Sequence, residues 1–137
     1  MRDLVMDALE ADVTLMALLT GGLYAATEIS RQLTPNAFDA NAEIEPCGLV
    51  ALEVETPVGP HDTGSRAYFT VTFYERVGFT TIDAALARAY AVLHRQKIGA
   101  ATDHVWEVRH ADDSAEFQDP ALLCSSRYAR FWALRLR

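Results

Sequence analysis

The stretch from Tyr68 to Gly99, YFTVTFYERVGFTTIDAALARAYAVLHRQKIG, constrains the fold most, because its apolar residues change period halfway along. Phe69, Val71 and Phe73 recur at every second residue, whereas Ile82, Ala85, Leu86, Ala89, Val92 and Leu93 recur at threes and fours. The first spacing puts side chains on one face of a strand and the second puts them on one face of a helix. Gly78 separates the two. Thr80 stands three residues ahead of Asp83, an imperfect capping box that predicts a helix start near Thr81, and Gly99 suits its stop. A helix with this stripe has to lie on a sheet that contains Phe69, Val71 and Phe73, which requires an α+β fold.

At 137 residues the chain suits a single domain, 1–137, with room for one core. Half of its residues are hydrophobic and 23% are charged, an ordinary balance for a folded protein. The net charge of −7 disfavours a surface built to grip nucleic acid, which needs clustered Lys and Arg. No apolar run approaches the roughly 20 residues that span a bilayer. The opening MRDLVMDALEAD carries Asp3, Asp7, Glu10 and Asp12 where a signal peptide has an uninterrupted apolar core, so the chain is expected to act where it is made. Cys47 and Cys124 share no short metal-binding spacing and read as free, small core or interface residues.

Along the chain, Val5, Leu9, Val13, Met16 and Leu19 predict one amphipathic helix from about Asp3 to Leu19, ended by Gly21 and Gly22. Leu23 to Ile29 reads as a short extended piece. Residues 30–47 hold Pro35, Asn36, Asn41 and Pro46 without a sustained period, a long loop that either wraps its own domain or reaches a neighbour. Gly48 to Glu55 is a strand with Val50, Leu52 and Val54 on one face. TPVGPHDTGSR, residues 56–66, is the turn-rich connection of an antiparallel hairpin, with Gly59, His61, Asp62 and Gly64 at its tip. Val105 to His110 is a short strand with Trp106 and Val108 on one side; residues 111–127 are a polar connection; Tyr128 to Leu136 is the last strand.

The order is therefore α-β-β-α-β-β, a mainly antiparallel or mixed sheet of about four to five strands with two helices packed on it. The last strand has apolar residues on both faces, Phe131 and Ala133 against Tyr128, Trp132, Leu134 and Leu136. Tyr68, Thr70, Thr72 and Tyr74 likewise oppose the apolar face of their strand. One sheet face has the central helix to cover it; the first helix or a second subunit is left for the other.

No constellation for chemistry emerges. Asp3, Asp7 and Glu10 form an acidic solvent face at a helix start. His61, Asp62 and Ser65 lie on a loop without the rigid support a triad needs, and Gly59 and Gly64 lack the Lys and Ser/Thr of a phosphate cradle. His104 and His110 stand roughly 20 Å apart at strand rise, too far for one metal ion. No catalytic, metal or cofactor site is expected.

The pattern resembles the tail terminator, or tail completion, proteins of long-tailed bacteriophages. The likeness is carried by the opening amphipathic helix, the GGLYAA segment after it, the Pro-bearing lead into LVALEVE, the strand and helix YFTVTFYERVGFTTIDAALARAYAVLH, and the closing RYARFWALRLR. It spans nearly the whole chain, on core patterns rather than catalytic signatures. The resemblance implies a structural virion protein of the tail or neck, assembled in the host cytoplasm, with no enzyme activity and no cofactor. It implies a homohexameric ring that caps the tail tube, ends its polymerisation and joins the head-tail connector or head closure protein, while DNA passes through without specific binding. Six copies at −7 each would give such a ring −42.

Candidate contacts between subunits or rings are Gly59, His61, Asp62 and Gly64 in the hairpin loop, Tyr68, Thr70, Thr72 and Tyr74 on the strand, and Arg127, Arg130, Trp132 and Arg135 on the last strand. Residues 30–47 join the hairpin loop as expected inter-ring contacts, and the acidic first helix opposes the Arg-rich end. The alternatives are another neck or head-closure ring protein, or a small ligand-binding or enzymatic α+β domain using His61, His94 or Cys124.

Overall fold

A computed structural model describes residues 1–59 and 64–136. Among the described residues three α-helices and six strands follow one another: α1 (Arg2–Glu10), α2 (Val13–Leu18), β1 (Leu23–Tyr24), β2 (Cys47–Pro57), β3 (Gly64–Glu75), α3 (Thr80–Leu93), β4 (Val105–Asp113), β5 (Phe117–Asp119) and β6 (Cys124–Leu136). The strands form one mixed sheet in the order β1-β2-β3-β6-β4, with β5 also on β6; β1 runs parallel to β2 and every other pair is antiparallel. The α+β class stands, with one more helix and at least one more strand than the sequence pattern gives.

The extra helix comes from a break at Asp12. Its carboxylate accepts the Leu15 amide at 3.0 Å and so caps α2, while the same two oxygens take Nε and Nη2 of Arg88 on α3 at 2.7 and 2.8 Å. A single helix from Asp3 to Leu19 would forfeit both. The break turns Val13 out to solvent, 82% exposed, although it falls in the apolar stripe.

All three helices lie on one face of the sheet. Val5 and Leu9 of α1, Leu15 of α2 and Ile82, Ala85, Leu86, Ala89 and Leu93 of α3 close over Val50, Phe69, Val71, Phe73, Val108, Ala129, Phe131 and Ala133. Phe69 and Phe131 stack across β3 and β6 at 5.5 Å between ring centroids. The first helix therefore shares the face of the central one and leaves the other face to something else.

Residues 25–46 cover half of that other face. Ile29, Ala37 and Ile44 pack with Cys47, Leu49, Tyr74 and Cys124 into a second, smaller cluster. The long loop wraps its own chain, pinned by a one-turn helix at Pro35–Ala37 and by a bridge between Phe38 and Ile44.

The helix start expected near Thr81 falls at Thr80, but its cap and several other boundaries differ from the sequence pattern for local reasons. The capping box at Thr80 does not form: Phe79 occupies the cap position, and the Glu75 carboxylate accepts the Thr81 and Ile82 amides instead. The helix stops at Leu93, six residues before Gly99, because His94 is extended and Arg95 takes a positive φ of 60°. An extra residue in β2 between Leu52 and Glu55 breaks its alternation, so Glu55 rather than Val54 stands beside Ala67. A similar irregularity between Val105 and Val108 leaves Trp106 53% exposed while Val108 is fully buried. Residues 111–127 are largely strand: β4 runs on to Asp113, and the buried Ser125 and Ser126 open β6 opposite Glu75 and Tyr74.

Candidate assembly interface

The uncovered half of the sheet face is built by three strands in fixed register. Tyr68 stands opposite Trp132, which stands opposite Arg109; Thr70 stands opposite Arg130, and Arg130 opposite Asp112; Arg66 stands opposite Leu134. Because a strand alternates its side chains, the same strands that hold Phe69 and Phe131 in the core must present this second row outward. The guanidinium of Arg66 lies over the Trp132 ring at 4.6 Å. Arg130 reaches between Glu53 at 3.3 Å and Asp112 at 3.8 Å, and Arg109 pairs with Glu107.

This surface is incompletely satisfied. The Nε of Arg66 is shielded from solvent with no hydrogen-bond acceptor among the described residues, while that of Arg130 has only its ion-pair contact with Glu53, outside hydrogen-bond geometry. A buried N–H without an acceptor is costly, and a surface bringing carboxylates or carbonyls would relieve it.

The expected contact residues divide into two groups. Tyr68, Thr72, Arg130 and Trp132 are part-exposed on the uncovered face and come together there. Tyr74 does not belong with them: it is 8% exposed, inside the cluster under residues 25–46, and burial pushes its hydroxyl pKa well up. Thr70 is likewise buried, at 7% exposure. Arg127 lies on the helix side, where it bonds Asp83 of α3 at 2.7 Å and the Ser114 carbonyl, so it ties the domain together. Arg135 also falls on that side, opposite Ser65 and Val105 at the end of the sheet.

Gly59, with a φ of 78°, and Gly64 flank the hairpin tip, while His61 and Asp62 lie outside the described residues. The pairing of β2 with β3 up to Pro57 and Ser65 makes the hairpin itself a feature of the fold. Leu52 and Val54 of β2, and Val58 just past its end, are 38%, 49% and 40% exposed, apolar surface on the hairpin that a regular alternation would have partly hidden. Periodicity gives no signal for a bulge, so these residues and Trp106 escape a sequence reading.

Of the groups considered for an enzyme, His61 lies outside the described residues. Burial pushes the thiols of Cys47 and Cys124 up to about 12, far from a reactive thiolate, and Cys124 sits in the small cluster beneath the loop. His94 instead stacks on Tyr90 and accepts a backbone amide. Among the described residues no three His, Cys, Asp or Glu side chains gather as a metal site, and no helix is long and apolar enough to cross a membrane.

No family model and no curated protein matches the chain. Among solved structures, the fold is shared with a chain of a structure described as the virion of a native gene transfer agent particle. The two are 18% identical and superpose with a TM-score of 0.67 over 97% of this chain and 92% of that one.

Proposed function

We propose that this protein is a structural component of a phage-like particle, and specifically a tail terminator: a ring-forming subunit that caps the tail tube, stops its growth and joins the tail to the head connector. The observation that carries the reading is the correspondence of fold, over nearly the whole of both chains, with a chain of a virion particle. The sequence resemblance to tail terminators points the same way. So does the division of the sheet, one face sealed by three helices and the other left half open, where the shielded Arg66 Nε has no hydrogen-bond acceptor among the described residues.

In this reading the open face around Tyr68, Arg130 and Trp132 meets the neighbouring subunit, and the hairpin arm with Leu52, Val54 and Val58 reaches the adjoining ring. The ring is a homohexamer resident in the tail or neck, with a role in assembly rather than catalysis, and DNA slides through an acidic lumen without specific binding. The test is electron microscopy of particles produced with and without the gene. Its loss is expected to give overlong or headless tails; tails of normal length joined to filled heads would refute the proposal. Defective heads on tails of normal length would instead favour a head-closure ring.

A further inference from the structure

The edge of the sheet beyond β4 is closed by a short strap, residues 94–96, that follows α3. Three hydrogen bonds hold it: the Arg95 amide to the Val108 carbonyl at 2.7 Å, the Val108 amide to the Gln96 carbonyl at 2.9 Å, and the His110 amide to Nδ1 of His94 at 3.0 Å. The strap is strained at Arg95, which is not glycine yet holds a φ of 60°. Edge strands with free amides invite pairing with other chains, and this strap occupies the outward amides of Val108 and His110.

The third bond differs from the others because its acceptor can be titrated. A neutral imidazole that accepts at Nδ1 carries its hydrogen on Nε2, so Nδ1 holds the one free lone pair of the ring. A proton taken from solvent at Nδ1 would set two donors facing each other at the present 3.0 Å. We propose that His94 is an acid-sensitive latch: neutral, it fastens the strap over the edge of β4, and protonated, it lets go of the His110 amide and uncovers that edge.

The surroundings of His94 favour the neutral ring. Partial burial comes first in holding its pKa below the ordinary histidine value, followed by the positive charges of Arg95 on the strap and of Arg109 and His110 on β4, with Glu107 opposing them. Glu107 is itself paired with Arg109, which blunts its pull. Tyr90 of α3 stacks on His94 at 4.6 Å between centroids, a contact that alone would favour the cation but leaves Nδ1 without a new acceptor. The His110 ring is engaged elsewhere, with Nε2 2.9 Å from Asp113 and its face edge-on to Phe131.

The test is nuclear magnetic resonance on the full chain between pH 8 and pH 5, following the ring nitrogens of His94 and the exchange protection of the His110 amide relative to its intrinsic rate at each pH. At pH 8 the Nε2–H tautomer is expected. On acidification the ring should titrate below pH 6.5, and protection of the His110 amide should fall at least about tenfold with the same midpoint, while the central Val71 amide stays protected. Titration at or above 6.5, unchanged protection of His110, or equal loss at Val71 would overturn the latch. His94→Phe keeps a ring against Tyr90 and removes the acceptor, so His110 should be weakly protected at both ends of the range; full protection there refutes the proposal. His110→Gln keeps the amide and should keep the pH response, whereas a flat profile would assign the switch to the His110 ring instead.

Discussion

The two faces of the sheet are made by alternate residues of the same strands, yet they are finished in different ways. The helix face is closed: Phe69, Val71, Phe73, Phe131 and Ala133 are at most 1% exposed beneath α1, α2 and α3. The other face is closed at one end by residues 25–46 over Cys47, Leu49 and Tyr74, and at the other it presents Tyr68, Arg66, Arg130 and Trp132 to solvent in part. A face that is sealed carries the stability of the subunit. A face left half open, with the Arg66 Nε shielded and unbonded among the described residues, is suited to complete itself against another surface.

The sharpest way to break this contrast is to damage each face in turn. Phe131→Ala removes the ring stacked on Phe69 and should destabilise by about 3–5 kcal/mol, a drop in melting temperature on the order of 10 °C. Leu86→Asp, which buries a charge under α3, should leave no folded subunit by circular dichroism. Ile44→Ala in the smaller cluster should cost about 2 kcal/mol, at the low end for a buried aliphatic, because that cluster is shallow and its lining can relax. A thermal melt in which Ile44→Ala matched or exceeded Phe131→Ala would invert the assigned order of the two clusters.

Smaller effects refine the helix side. Asp12→Ala removes the cap of α2 and should cost about 1 kcal/mol through the lost cap bond, whereas Arg88→Leu spares the cap and should cost less. The Asp12 carboxyl is held below the ordinary carboxylate range chiefly by its bond to Arg88, so its contribution is complete at neutral pH. That contribution declines only as the pH falls below the unfolded carboxylate value, through the lower folded one. His94 acts in a different window. Its folded pKa lies below the unfolded one, so the unfolded chain binds the proton more readily and stability should fall as the pH drops below about 6.5. Chemical denaturation at pH 7.5 and 5.5 on the native chain and on His94→Phe checks this, with the smaller pH difference expected in the variant.

What could be read from the sequence follows from the range over which each signal acts. The strand face of Phe69, Val71 and Phe73 and the stripe of α3 were legible because each is a local period set by burial on one side. The break between α1 and α2 was not, since Asp12 is held by Arg88, 76 positions away, as much as by its own helix. The start of α3 near Thr81 was legible but its cap was not, for a similar reason: Glu75 reaches forward from β3 to do the work assigned to Thr80. Polar residues hid the full length of β4 and β6, because Ser125 and Ser126 are buried by neighbouring strands rather than by their own character. Of the proposed contact residues, Tyr68 and Trp132 were placed on the open face by alternation alone, but alternation could not reveal that residues 25–46 had already covered Tyr74.

The comparison of the two faces is tested most directly by one substitution on the open side. Trp132→Glu replaces a part-exposed ring at the centre of that face with a charge and leaves the helix-covered core untouched. The subunit should keep its circular dichroism and lose less than about 1 kcal/mol of stability, while electron micrographs of particles carrying the variant should show overlong or headless tails. A folded Trp132→Glu subunit that yields tails of normal length attached to heads would contradict the assignment of this face to assembly.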